Sequence, residues 1–220
     1  MRRLFVVTWL LAALLAALSE PVRGEEPDPW KSLETLRSAL ATDGQLSAGF
    51  EESYVPAGFS SGDTESGSVD LSIPDCLRWD YTEPYRKSFL VCGDRAWSWV
   101  EGEPRGQRYT IQSDREMGLD LLLLPSAELA KRYKAKASNA PGGEIEIELE
   151  PLVPEEDIVA ANLRLAADGR RPVALDWRDK EGNVTSFRFR DWRRVDQPSL
   201  FDPPAAMEWS QPSAAAPGLR

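Results

Sequence analysis

The sequence predicts a mainly β protein with a few helices, built on one large, strongly curved antiparallel sheet. Three observations predict it. Apolar and polar residues alternate with period two along most of the chain from Gln45 to Trp192, the spacing that turns one face of a strand inward and leaves the other in solvent. Turns rich in Gly, Pro, Asn and Asp separate these runs, so that successive strands join as a meander. Helical spacing interrupts the pattern at residues 29–42 and 119–132, and these segments are the ones available to cover the inside of the sheet.

The first element is a helix. In DPWKSLETLRSALATDG, Asp28 caps, Pro29 takes the first helical position, Trp30, Leu33, Leu36 and Leu40 recur at helical spacing, and Gly44 ends the element. The period then changes to two. QLSAGFEESYV alternates Leu46, Ala48 and Phe50 with polar partners, and GSVDLSI sets Val69, Leu71 and Ile73 against Asp70 and Ser72. Between them PAGFSSGDTESGS reads as a mobile Gly/Ser loop. Strands follow over residues 76–81, 88–92, 95–100 and 107–112. MGLDLLLLPSAELAKRY breaks the alternation with a short helix over 119–124 and a second begun by Pro125-Ser126. The β pattern resumes in YKAKASNAPGGEIEIELEP, a hairpin about Pro141-Gly142-Gly143, and runs on through three strands separated by Asp168-Gly169 and Glu181-Gly182-Asn183. The last residues, 210–220, read as a disordered tail.

Both cysteines lie in IPDCLRWDYTEPYRKSFLVCGDRAWSW. Setting Cys76 opposite Cys92 on antiparallel strands also sets Leu77 against Val91 and Trp79 against Phe89, with a turn centred on Pro84. Both apolar pairs then share one face and the cysteines the other. This agreement predicts a cross-strand Cys76–Cys92 disulfide, which an oxidising compartment favours; two unpaired thiols are the alternative.

Export is expected from the amino terminus. Arg2 and Arg3 precede an apolar run over residues 4–18, then Ser19-Glu20-Pro21 and Val22-Arg23-Gly24, the layout of a secretory signal peptide cleaved before Glu25. The run falls short of the roughly twenty residues a membrane span needs, and no cysteine follows it to carry a lipid. The chain therefore divides into a signal peptide (1–24), a single domain (25–209) and a tail (210–220). Cleavage removes three arginines and one glutamate, so the formal charge of −10 becomes −12. A chain so acidic repels nucleic acid and anionic lipid surfaces.

Catalytic signals are weak. The sequence contains no histidine. Glu144, Glu146 and Glu148 alternate with Ile145, Ile147 and Leu149 and read as a solvated outer face rather than paired acid–base carboxylates or a cation site. Asn183-Val184-Thr185 is a glycosylation sequon at the start of a strand and reads as incidental. Enzymatic function is not expected, nor is a cofactor or a metal.

SAGFEES, SGSVDLSIPDCLRWDYTEP, LVCGDRAWSW, LLLLPSAELAKRY, IEIELEP, GRRPVALDWRDKEGNVTSFRF and LFDPP follow one another in that order after the first helix. This ordered series resembles LolA-type periplasmic lipoprotein carriers across essentially the whole exported chain. The resemblance implies an incomplete, half-open antiparallel barrel closed by helices, whose apolar interior holds acyl chains. It further implies a monomeric periplasmic carrier that takes an acylated lipoprotein, or other lipid cargo, from an inner-membrane ABC exporter complex. The cargo then passes to an outer-membrane acceptor, without nucleotide or metal on the carrier. Burial energetics agree: at about 0.8 kcal/mol per methylene, an acyl chain of about sixteen carbons gains on the order of ten kcal/mol before ordering costs.

The residues expected to line the cavity are Phe50, Val69, Leu71, Ile73, Leu77, Trp79, Phe89, Val91, Trp97 and Trp99. Two departures from the family stand out. Ile73 precedes Pro74 where well-studied members place an arginine that holds the lid closed. CGDR replaces the usual Asp-Gly order, which leaves the alignment of Trp97 and Trp99 open by one or two positions. A related lipid or glycolipid carrier, or a lipid-binding sensory or regulatory envelope module of similar fold, is the alternative reading.

Overall fold

The computed structural model of the chain describes residues 26–110, 124–153 and 158–211. Asp28 caps the first helix, α1 (Pro29–Thr42), by accepting from the Lys31 backbone N–H at 2.8 Å. At the other end the Asp43 N–H bonds to the Ala39 carbonyl, and Gly44 takes a left-handed φ of 74° that stops the helix. Leu33, Leu36 and Leu40 form its buried stripe.

Six strands follow: β1 (Leu46–Val55), β2 (Asp63–Ser72), β3 (Cys76–Glu83), β4 (Lys87–Cys92), β5 (Arg95–Val100) and β6 (Arg105–Thr110). After a four-residue helix, α2 (Ser126–Leu129), come β7 (Tyr133–Asn139), β8 (Ile145–Pro151), β9 (Ile158–Leu165), β10 (Pro172–Asp179), β11 (Val184–Arg194) and β12 (Glu208–Ser210). All join one twelve-stranded sheet, in the order β12-β6-β5-β4-β3-β2-β1-β11-β10-β9-β8-β7. Neighbours pair antiparallel except β12, which lies parallel to β6. The two runs of the meander meet where β1 pairs with β11, and the sheet ends at β12 and β7 without closing.

Two expectations are corrected here. The Gly/Ser-rich stretch 56–68 is only half loop, because β2 begins at Asp63 and pairs with β1 through Tyr54 opposite Asp63 and Glu52 opposite Glu65. Gly62 and Gly67 serve close backbone approach. A Cβ at Gly62 would lie 1.7 Å from the Tyr54 carbonyl oxygen, and one at Gly67 would lie 1.9 Å from that of Asp80. Ser210, assigned to the tail, is paired in β12. Residues 119–123 of the helix expected over 119–124 lie outside the described residues, as does the end of the strand expected over 107–112.

Curvature is visible in side-chain distances. Trp79 on β3 and Phe187 on β11 are three strand steps apart, about 14 Å on a flat sheet. Their ring centroids are nevertheless 4.9 Å apart. The sheet therefore folds inward, and the concave side holds the main core, where leucines of α1 and Leu129 of α2 pack with Phe50, Leu71, Leu77, Leu149 and Leu163.

The apolar concave face of the half-barrel

Strand alternation and register assign each side chain to a face. Phe50, Val69, Leu71, Leu77 and Trp79 point to the concave side, together with Ile73, which follows β2, and all six join the main core. The β3–β4 register sets Cys76 opposite Cys92, Leu77 opposite Val91 and Trp79 opposite Phe89. Phe89 is half-buried against the same core, while Val91 packs with Ala96 and Tyr109 in a small cluster beside it.

Trp97 and Trp99 are not on this face. The Gly93-Asp94 turn sets Cys92 opposite Arg95, so Ala96 pairs with Val91 and Ser98 with Phe89, whereas Trp97 meets Leu90 and Trp99 meets Ser88. Both tryptophans thus share the convex face with the disulfide, which joins Cys76 to Cys92. A one-residue slip in alignment exchanges the faces of a whole strand. On that side the Arg78 guanidinium sits 5.3 Å from the Trp99 ring, pairs with Asp80 and donates to the Leu200 carbonyl. The segment from the 3-10 turn Pro198–Phe201 to β12 crosses here, with Trp209 edge-on to Trp99 at 6.0 Å.

The concave face gains aromatics from the second half of the chain. Phe187 stacks on Phe189 and on Trp177, at 6.2 and 5.4 Å, and Phe189 meets Trp192 at 5.9 Å. Phe50 lies edge-on to Trp79 and Tyr81, at 4.9 and 5.0 Å. One aromatic surface thereby runs from β4 to β10. The period-two spacing of VTSFRFRDW is the sequence signal that sets Phe187 and Phe189 on one face.

A polar group interrupts this surface toward the β1–β2 turn. The Tyr81 hydroxyl donates to the Glu52 carboxylate at 2.6 Å, and the Lys87 ammonium pairs with Glu65 at 2.7 Å, 4.4 Å from the Tyr81 ring centroid. Burial pushes the Glu52 carboxyl above its ordinary range, against the opposing pull of the Tyr81 hydrogen bond. The Tyr81 hydroxyl is pushed up by burial and by the Glu52 carboxylate beside it.

At the opposite end of the sheet Asp43 anchors α1. Its carboxylate, nearly buried, binds the guanidinium groups of Arg171, Arg194 and Arg170, the last at 3.3 Å. Hydrogen bonds from Arg171 and then Arg194 hold its carboxyl well below the usual carboxylate range.

Gly58-Phe59-Ser60-Ser61-Gly62 spells Gly-x-Ser-x-Gly, but that nucleophile elbow needs a strand-to-helix turn and a histidine base. Here the segment links strands β1 and β2, and the sequence has no histidine. Among the described residues no group of three or more His, Cys, Asp or Glu is placed to hold a metal ion, and no helix is long and apolar enough to cross a membrane.

A half-open sheet with an apolar, helix-covered concave side defines the class, a half-barrel of the lipoprotein-carrier type. The chain belongs to the family described as outer membrane lipoprotein carrier protein LolA, whose pattern matches residues 44–202. It is 26% identical over 190 residues to an outer-membrane lipoprotein carrier protein of Xanthomonas oryzae pv. oryzae, covering 84% of each chain. It is 24% identical over 204 residues to one of Chromobacterium violaceum, covering 91% of each. Among solved structures, an uncharacterized conserved protein from Thermus thermophilus shares the fold with a TM-score of 0.54 at 11% identity, over 83% of this chain and 98% of that one.

Proposed function

We propose that the protein is a periplasmic carrier that binds the acyl chains of lipoproteins against its concave face and moves them from the inner to the outer membrane. The aromatic surface from Phe89 to Trp177 is the observation that carries this reading. In the structure its members pack on one another and under α1. Acyl chains therefore enter as α1 moves away, exchanging contacts with Leu33, Leu36 and Leu40 for contacts with methylenes of similar transfer energy. The carrier's chemistry on this reading is binding alone, with no cofactor. The exported monomer, residues 25–220, receives cargo from an inner-membrane ABC exporter and releases it to an outer-membrane acceptor. The family membership and the carrier names of the two bacterial relatives support this assignment.

The test is release of lipoprotein from energised inner-membrane vesicles on adding the purified protein, followed by native mass spectrometry of the soluble fraction. A one-to-one complex with an acylated protein is expected. Vesicles that retain all their lipoprotein, together with protein that leaves its own envelope free of any acyl species, would overturn it.

A further inference from the structure

The concave face is not uniformly apolar, and a polar cluster on it is arranged in a specific way. Among the inward-facing residues of β1 to β5, Lys87 is the sole cation. It stands between two aromatic rings, 4.4 Å from Tyr81 and 6.0 Å from Phe89, with Glu65 accepting one of its three protons. Glu52 lies across from Glu65 on the neighbouring strand and is held by Tyr81. Four strands thus contribute one ammonium, two carboxylates and one phenol at a single level of the face.

That level lies near one end. From Glu52 down to Leu46 the inner face of β1 runs six residues, about 20 Å, through Phe50 and Ala48. Above it lie the β1–β2, β3–β4 and β5–β6 turns, where exposed Phe59 and Tyr85 project, with Tyr54 one residue before the end of β1 and Val100 at the end of β5 also exposed. An acyl chain lying along the apolar stretch brings its polar linkage to the level of Lys87. Glu65 already pairs with the ammonium and Glu52 stands beside it, so the site offers no uncompensated positive charge to a ligand's carboxylate or phosphate. An ester carbonyl, neutral and acceptor-only, matches an ammonium donor there.

We infer that Lys87, oriented by Glu65 and Tyr81, binds the ester carbonyls of a neutral acyl-glycerol linkage and so sets both the depth and the class of the bound lipid. This rests on the acyl-chain reading of the concave face. Lys87 is a specificity residue on this assignment, selecting ester-linked neutral lipid over its ether analogue and over free fatty acid.

Displacement of a fluorescent acyl probe from the purified protein by dioctanoylglycerol, by its dioctyl ether counterpart and by dodecanoate tests it. The ester is expected to displace the probe at about tenfold lower concentration than the ether, the scale of one charge-assisted hydrogen bond. Dodecanoate is expected to be the weakest of the three. Lys87→Met should bring ester and ether within about twofold of each other, and Lys87→Arg should keep the preference, since it keeps a cationic donor. Equal displacement by ester and ether in the wild-type protein, or a preference that survives in Lys87→Met, would overturn the Lys87 assignment while leaving acyl binding intact. If none of the three displaces the probe, the acyl-chain reading falls and this inference with it.

Discussion

Glu52 sits beside Phe50 and Phe187 on the concave face, and burial is the first cause of its raised pKa. The sign of the linkage follows: a carboxyl that titrates higher folded than unfolded adds stability at low pH and loses it as pH rises through the folded value. Glu52→Gln removes that loss and keeps an acceptor for Tyr81. Its thermal midpoint should therefore exceed the wild type's at neutral pH, and the gap should close below the ordinary carboxylate range, as read by calorimetry. A second comparison separates the faces. Phe89→Ala should weaken acyl-probe binding about tenfold, the loss of one half-buried ring. Trp99→Ala, on the convex side, should leave binding within about twofold. The first of these positions was legible in the sequence because Cys76 opposite Cys92 pins the β3–β4 register. The second was misread although the signal was present. Cys92-Gly93-Asp94-Arg95 is a two-residue hairpin with Gly93 at positive φ, and such a turn places Cys92 and Arg95 on the same face. Trp97 and Trp99, two and four residues further on, follow Arg95.

At the scale of elements, the strands that alternate strongly were legible to within a few residues, and β12 was not. A three-residue strand whose partner lies about a hundred residues away leaves no periodic trace, since its pairing is decided by tertiary contact. The structure shows what seats it. A Cβ at Gly106 would lie 2.4 Å from the Trp209 ring, 2.8 Å from the Met207 sulfur and 2.9 Å from the Ser98 carbonyl oxygen. Gly106→Ala should therefore dislodge the crossing segment, costing about 1–3 kcal/mol as overpacking does. A shifted emission from Trp99 and Trp209, with acyl binding retained, is the expected readout. The Cys76–Cys92 disulfide lies under the same segment, where Cys92 approaches the Phe201 carbonyl. Closing a loop of sixteen residues contributes about 3 kcal/mol in the chain-entropy model. Reduction should lower the thermal midpoint by roughly 6–12 °C for a domain of this size. Acyl binding below the transition should not change, because the bond is on the convex face.

For the whole molecule, α1 covers the concave face, so on the proposed function access to that face depends on how α1 is held. Ile73 offers no hydrogen bond from the position where the family resemblance led to an arginine, and in the structure it is buried in the core. Polar fastening comes instead from Ser126, which donates to Glu34, and chiefly from Asp43, where two arginines from the β9–β10 turn and one from the end of β11 converge on a single carboxylate. These contacts fix the carboxyl end of the helix to the β7–β11 run of the meander, next to the point where β1 and β11 meet. Gly44 follows at once with open space around its Cβ position, so the chain can turn there without a side chain resisting. On the proposed function, in which α1 moves to admit cargo, Asp43 is the fixed end about which it would move. Because the Asp43 carboxyl titrates below its unfolded value, its contribution is present across neutral pH and is lost only as acid takes the pH down through the folded value. Asp43→Asn removes the charge and leaves three arginines facing one another. Backbone amides of residues 29–42 should then exchange hydrogen faster than in the wild type at neutral pH, while those of β8 to β10 exchange unchanged. Uptake of an acyl probe should accelerate in step. Equal exchange over 29–42 in both proteins would show that the pivot lies elsewhere. Faster exchange without faster uptake would show that α1 does not gate the concave face.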